Sequence, residues 1–194
     1  MHTIIENFAP PALLRAVAAT WPREDWPHWH RYQDSNSIKW ASKDAHRLPD
    51  AARLVIAAMA QIDVSKFAPG VDVFPDLDLH GAGLNMIPPG GHLGLHLDGA
   101  VHPLTGWRRE LNAVLFVDDV GGGALEFWNA PDGVIQAKIY PVRNRLVLFT
   151  TDSNSWHRVQ VVPGPLPRRT ISLFWWSTRP CESDRDHAEF SAST

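Results

Sequence analysis

From about residue 71 onward the chain is a series of short apolar runs cut by Gly, Pro and Asp, and this punctuation constrains the fold more than any other feature. GAGLNMI, HLGLHLD, ELNAVLFV, ALEFWN, VIQAKIYPV, RLVLFT, HRVQVV and RTISLFWWS are strand-like in length and in their β-branched and aromatic content, and PPGG, DDVGGG, APDG, PVRN and VPGPLP divide them. Eight short strands with turn signals between them predict an antiparallel jelly roll or barrel.

The segment before residue 71 has a different character. Pro10 and Pro11 open ALLRAVAATW, and Pro49-Asp50 precede the alanine-rich AARLVIAAMAQI, so two helices are expected. Between them Trp21, Trp26, Trp29 and Trp40 punctuate an irregular stretch, and packing against the main body is the favoured role for them. The whole reads as one domain over 1–194 of mainly β class with N-terminal helices. It divides into a support region over 1–70, a β core over 71–180 and a polar, loose tail over 182–194.

Composition removes several function classes. With 44% hydrophobic and 20% charged residues the chain is neither disordered nor fibrous. A net charge of -3 argues against a phosphate-backbone binder, so no nucleic-acid partner is expected. No segment is long and apolar enough to span a bilayer, the first residues lack a signal-peptide pattern, and the lone Cys181 gives no disulfide. A cytoplasmic protein without membrane contact is the expectation, and Cys181 is read as inert.

The stretch Gly90 to Asp98 carries the chemistry. His92 and His96 are spaced as in helical zinc sites, but Pro88, Pro89, Gly90, Gly91 and Gly94 oppose a helix. On a strand, His96 and Asp98 share a face about 6.6 Å apart along the backbone, close enough to converge on one ion, whereas His92 lies roughly 13 Å from His96. His157, where Ser155-Trp156-His157 opens a strand, is the natural third ligand. Two imidazoles and one carboxylate on one face leave positions free, the arrangement that suits non-haem Fe(II) and oxygen chemistry.

Around these residues the sequence resembles the 2-oxoglutarate and Fe(II)-dependent dioxygenases, in their prolyl 4-hydroxylase-like branch. The likeness runs in order through Gly81-Ala82-Gly83-Leu84, PPGG, His96-Leu97-Asp98, Arg108-Arg109-Glu110-Leu111-Asn112, Gly122 to Trp128, Asn144 to Phe149, Ser155-Trp156-His157 and Arg168 to Leu173. The resemblance implies a double-stranded β-helix core, with His96, Asp98 and His157 holding Fe(II). It further implies 2-oxoglutarate and O2 as cosubstrates, with ascorbate in support, and an arginine on the distal carboxylate of 2-oxoglutarate. Arg168, sharing its strand face with Thr170 and Ser172, is favoured for that role over Arg169, which shares its face with Ile171, Leu173 and Trp175. The expected reaction hydroxylates an unactivated C–H bond and yields succinate and CO2. The substrate is a prolyl group in a peptide or protein, a free amino acid or a small metabolite. The presence of Asp98 favours hydroxylation over halogenation.

His92, Trp107 and Trp128 are expected to line the substrate entrance, beneath a cover formed by the segment around Trp26 to Trp40. Asp118-Asp119, directly before the glycines at 121–123, reads as a turn. The competing reading is a cupin-like metal-binding protein or isomerase without 2-oxoglutarate chemistry, which has no reason to carry an arginine with hydroxyl partners after His157.

Overall fold

The computed structural model describes residues 1–181 and 183–192. It contains strands His2–Ile5 (β1), Trp29–Gln33 (β2), Ile38–Ser42 (β3), Phe74–Pro75 (β4), Gly83–Ile87 (β5) and Leu93–Leu97 (β6). These are followed by Arg108–Phe116 (β7), Leu125–Trp128 (β8), Ile135–Ile139 (β9), Leu146–Thr150 (β10), His157–Val159 (β11), Arg168–Ser177 (β12) and Glu189–Phe190 (β13). All eight expected strands of the core are present, as β5 to β12. Helices Pro11–Ala19 (α1) and Asp50–Met59 (α2) match the two proline-led segments. Pro11 at the first turn of α1 and Asp50 in the first turn of α2 suit helix starts, where a missing N–H costs nothing and a negative charge meets the positive end of the helix dipole.

Two antiparallel sheets face each other as a double-stranded β-helix. The larger runs β1-β10-β7-β12-β5-β3-β2, with β4 beside β12; the smaller runs β13-β6-β11-β8-β9. Strand parity separates the two faces of the large sheet. Leu111, Ala113, Leu115, Ile171, Leu173 and Trp175 pack under α1 and α2 with Leu14, Val17, Val55 and Met59. The alternate residues, among them Phe116, Val147 and Phe149, meet Leu125, Phe127 and Val159 of the small sheet. Burial on both faces explains the nearly continuous apolar run of β12.

The support region is less irregular than expected. β1 pairs with β10, and the hairpin β2–β3 extends the large sheet through β5. These strands escape sequence reading because β2 is exposed over four of its five residues and lacks an alternating apolar pattern. Trp29 is buried, with ring centroids 5.1 Å from Trp26 and 6.4 Å from both Trp21 and Trp40, so the tryptophan-rich stretch is a packed cluster on the core.

The tail departs from expectation more sharply. Within 182–194, β13 pairs with β6, placing Phe190 opposite His96 and Glu189 opposite Leu97. Arg185 is tied to the backbone, accepting from the Ala100 and Val101 amides. Polar composition hid this strand because it is held by main-chain hydrogen bonds rather than by an apolar face. Residues 182, 193 and 194 of that stretch lie outside the described residues.

Candidate active site

The antiparallel register of β6 and β11 sets His96 directly opposite His157, and Asp98 follows the end of β6. The imidazole centroids are 4.2 Å apart, and the Asp98 Oδ1 lies 3.5 Å from His96 Nε2 and 3.8 Å from His157 Nε2. Both Nδ1 atoms are engaged by carbonyls two residues back, Gly94 and Ser155, each at 2.8 Å. Those contacts fix the tautomer with Nδ1 donating and leave both Nε2 lone pairs free. Asn112 donates to the other carboxylate oxygen of Asp98 at 3.1 Å, with Arg109 Nη1 3.7 Å away.

One ligand atom from each of His96, Asp98 and His157 lies within 4.8 Å of the others, and this is the group of such residues that could hold a metal among the described residues. Burial opposes the charge on Asp98, but His157, the His96 hydrogen bond and Arg109 together hold its carboxyl well below the usual range. Burial and the neighbouring His96 push His157 down to about 4, so it stands neutral and able to donate a lone pair. Two imidazole Nε2 atoms and one carboxylate, all turned to a common point, fit a divalent transition metal with open coordination positions.

The triad opens into a cavity of about 490 Å³ between the sheets. Arg168, Thr170, Ser172 and Phe174 enter it from β12, as alternation requires. Arg168 is only 4% exposed; its Nε has no hydrogen-bond partner among the described residues, its guanidinium lies 4.8 Å from the Phe116 ring centroid, and burial lowers its pKa to about 9. Arg169 points the other way and pairs with both oxygens of Asp118 at 2.6 and 2.7 Å. Arg169 is thus absent from the cavity wall, and the Asp118-Asp119 turn proves to be its anchor.

The expected substrate residues are elsewhere. His92 precedes β6, and its Nε2 lies 3.3 Å from the Ser35 carbonyl, outside the cavity. Trp107 stacks edge-on to Phe74 at 4.8 Å. Trp128 lies beneath Arg158 and lines a second cavity of about 310 Å³ with Met1, His2 and Phe127. None of the three reaches the metal cavity, because each sits at a strand end or beyond it, where extrapolated alternation fails.

Sequence reading missed the residues that do line the cavity beside the triad. Tyr32 and Lys39 come from the β2–β3 hairpin, Asn85 from β5, Asn112 and Arg109 from β7, and Phe190 from β13. Arg109 has a specific structural cause. The register of β7 on β12 slips between Trp175 and Trp176: Leu111 faces Trp175, yet Trp176 faces Arg109, leaving Glu110 as the extra residue of a bulge. Plain alternation from Asn112 would put Glu110 in the cavity. The bulge sends Glu110 out to Ser177 and Arg179 and turns Arg109 in.

A His-Asp-His triad with both imidazoles buried, at one side of a jelly-roll cavity with a desolvated arginine on the wall, fits a non-haem metal oxygenase site. The family model described as the 2OG-Fe(II) oxygenase superfamily matches residues 82–177, which span the triad and Arg168. The chain belongs to this superfamily and is a 2-oxoglutarate-dependent Fe(II) dioxygenase; Fe(II), 2-oxoglutarate and O2 are the cofactor and cosubstrates of the class.

Solved structures share the fold. A Pseudomonas putida prolyl-4-hydroxylase aligns with a TM-score of 0.63 at 23% identity, covering 92% of each chain. A Trichoplax adhaerens prolyl hydroxylase, in complex with a hypoxia inducible factor peptide fragment, aligns at 0.55 with 15% identity over 91% of this chain and 83% of its own. The alpha-ketoglutarate-dependent carbocyclase of nogalamycin biosynthesis aligns at 0.66 with 12% identity, over 94% and 83%. No curated protein matches the chain significantly. No helix of the described residues is long and apolar enough to cross a membrane.

Proposed function

We propose that the chain hydroxylates an unactivated C–H bond of a small molecule or peptide, with Fe(II) held by His96, Asp98 and His157 and 2-oxoglutarate anchored by Arg168. The observation that carries this reading is the pairing, across one cavity, of two free imidazole Nε2 atoms and a carboxylate with a buried arginine whose Nε has no partner. A guanidinium desolvated in that way is stabilised by a carboxylate that arrives with the cosubstrate. Thr170, buried on the same face of β12, supplies a hydroxyl beside it.

Bound there, Fe(II) and 2-oxoglutarate would supply the oxidising power to insert one oxygen atom of O2 into a C–H bond, with succinate and CO2 as coproducts. The rest falls to this chain. Gly94 and Ser155 carbonyls orient the two imidazoles, and Asn112 fixes the rotation of Asp98, so the donor set is pre-positioned. Phe149, Leu125, Val159 and Phe190 give the cavity apolar walls that exclude water.

Purified protein given Fe(II), 2-oxoglutarate and air should form succinate, with stimulation by the true substrate, and NMR of the mixture reads both cosubstrate loss and product. Absence of any Fe(II)-dependent succinate under these conditions, in protein that binds the metal, would sink the proposal.

A further inference from the structure

The charge left over in the loaded cavity identifies the chemistry of the substrate. In the proposed complex a ferrous ion and Arg168 are balanced by Asp98 and the two carboxylates of 2-oxoglutarate. Lys39 and Arg109, both on the cavity wall, then have no buried carboxylate left to balance them. Arg109 is 8% exposed, its guanidinium makes no hydrogen bond among the described residues, and its Nε is buried without a partner. It lies 3.8 Å from the Phe174 ring centroid and 5.0 Å from that of Trp176, with Asp98 as a loose ion partner at 3.7 Å. The Lys39 ammonium lies 5.1 Å from the Tyr32 ring centroid and makes no hydrogen bond or ion pair among the described residues. Two further carboxylates on the wall, Asp34 and Asp186, are exposed and already occupied by the Asn36 and Ser37 amides and by His187 respectively.

One 2-oxoglutarate cannot engage both arginines. The partner of Arg109 on β12 is Trp176, eight residues from Arg168, or about 26 Å of strand, so with Arg168 on the cosubstrate Arg109 is left for another ligand. The bulge at Glu110 also matters here, because it exchanges an acid for an arginine on the cavity face and so makes this end cationic.

We infer that the substrate is a small molecule bearing a carboxylate, which Arg109 binds with help from Lys39 at the end of the cavity opposite Arg168. Buried cations are ordinarily paired, and a guanidinium aimed into a cavity recognises a carboxylate through paired N–H donors. A small ligand is favoured over an extended peptide because β13 already occupies the free edge of β6, so no peptide can add as a strand beside the metal ligands.

This inference rests on the proposed function, and its test separates the two. Protein loaded with redox-inert Mn(II) and 2-oxoglutarate is titrated with propionate, butyrate and hexanoate and with the matching carboxamides. Ligand-observed NMR follows binding, through the relaxation that Mn(II) imposes on nearby ligand protons. Each acid should bind at least about tenfold more tightly than its amide and show metal-dependent relaxation. Arg109→Gln should remove the preference, Arg109→Lys should restore part of it, and Lys39→Met should weaken it, while affinity for 2-oxoglutarate stays within about threefold. Equal binding of acid and amide by the loaded wild-type protein, or a preference that survives both Arg109→Gln and Lys39→Met, overturns the inference and leaves the oxygenase reading standing. Failure of the wild-type protein to take up Mn(II) and 2-oxoglutarate together overturns the oxygenase reading, and the inference with it. Because Lys39 lies on a partly exposed hairpin, its variant remains informative if the Arg109 variants do not fold.

Discussion

The large sheet and the small sheet are built on opposite terms. In the large one, Ile171, Leu173 and Trp175 of β12 are covered by α1 and α2 while the alternate residues face the cavity, so both faces are enclosed. In the small one, Leu125, Phe127 and Val159 face inward, but the outer face carries Glu126 flanked by Arg158 at 2.6 Å and Lys138 at 3.5 Å rather than a helix. Yet this thinner sheet supplies His96 and His157, and the strand that carries His96 leads straight into Asp98. Apolar burial under the helices is concentrated in one layer and the two candidate histidine ligands in the other. Substitutions should therefore divide into those that change folding and those that change the reaction.

The largest effect is expected at the triad. Replacing Asp98 or His157 with Ala should abolish metal uptake and Fe(II)-dependent succinate formation, while circular dichroism keeps the β signature, since the large sheet does not rely on these side chains. Isothermal titration with Mn(II) checks the first part. Wild-type turnover in His157→Ala would break the assignment of that ligand.

Next comes the arginine pair, where one step along β12 changes the role. Arg168→Leu should raise the apparent KM for 2-oxoglutarate by roughly a hundredfold, as expected when a buried charged hydrogen-bonding partner is removed. Arg169→Leu should leave that KM within a few-fold and instead lower the melting temperature, because it breaks the two-pronged pair with Asp118. The reverse ranking would mean that the face assignment of β12 is wrong.

Parity made this pair legible in the sequence, and also shows where legibility ends. Arg168, Thr170 and Ser172 alternate on an unbroken ladder, so spacing alone placed them together. The same logic applied to β7 would have chosen Glu110, and the bulge defeats it, because a register slip leaves no mark in the pattern of apolar residues. His96, Asp98 and His157 were readable because two flank a single strand residue and the third opens its partner. Lys39 and Phe190 come from segments far apart in the chain, and only the β3–β5 and β13–β6 pairings bring them to the cavity. The entrance expected from His92, Trp107 and Trp128 was an extrapolation of strand geometry beyond the strands themselves.

A core substitution in the large sheet gives the complementary effect. Leu173→Ala removes a fully buried side chain under the helices and should cost about 2–5 kcal/mol of stability, read by urea denaturation. Metal affinity measured on the folded fraction should stay within about twofold. A large loss of metal affinity at preserved stability would show that the two layers are not separable in the way their burial suggests.

The smallest effect is expected at the C-terminal strand, which bears on the small sheet alone. β13 lies along β6, Phe190 sits 5.3 Å from the His96 ring, and Arg185 donates to the Asp98 carbonyl at 2.8 Å. Two glycines make room for these approaches. A Cβ on Gly99 would come 2.9 Å from the Asp186 carbonyl oxygen, and one on Gly94 would come 3.5 Å from Phe190 and 3.0 Å from the Asn36 carbonyl. Since Asp186, His187, Ala188 and Phe190 line the cavity without supplying a metal ligand, the strand acts as a wall against water. Ending the chain after residue 183 should leave Mn(II) and 2-oxoglutarate affinities within about threefold and raise succinate formed per substrate hydroxylated several-fold. Gly99→Ala should produce a milder form of the same uncoupling by pressing the strap outward from a position where only backbone is met. If truncation instead abolishes metal binding, then β13 is part of the frame that holds His96 in place, and the small sheet depends on its edge strand as strongly as the large sheet depends on its helices.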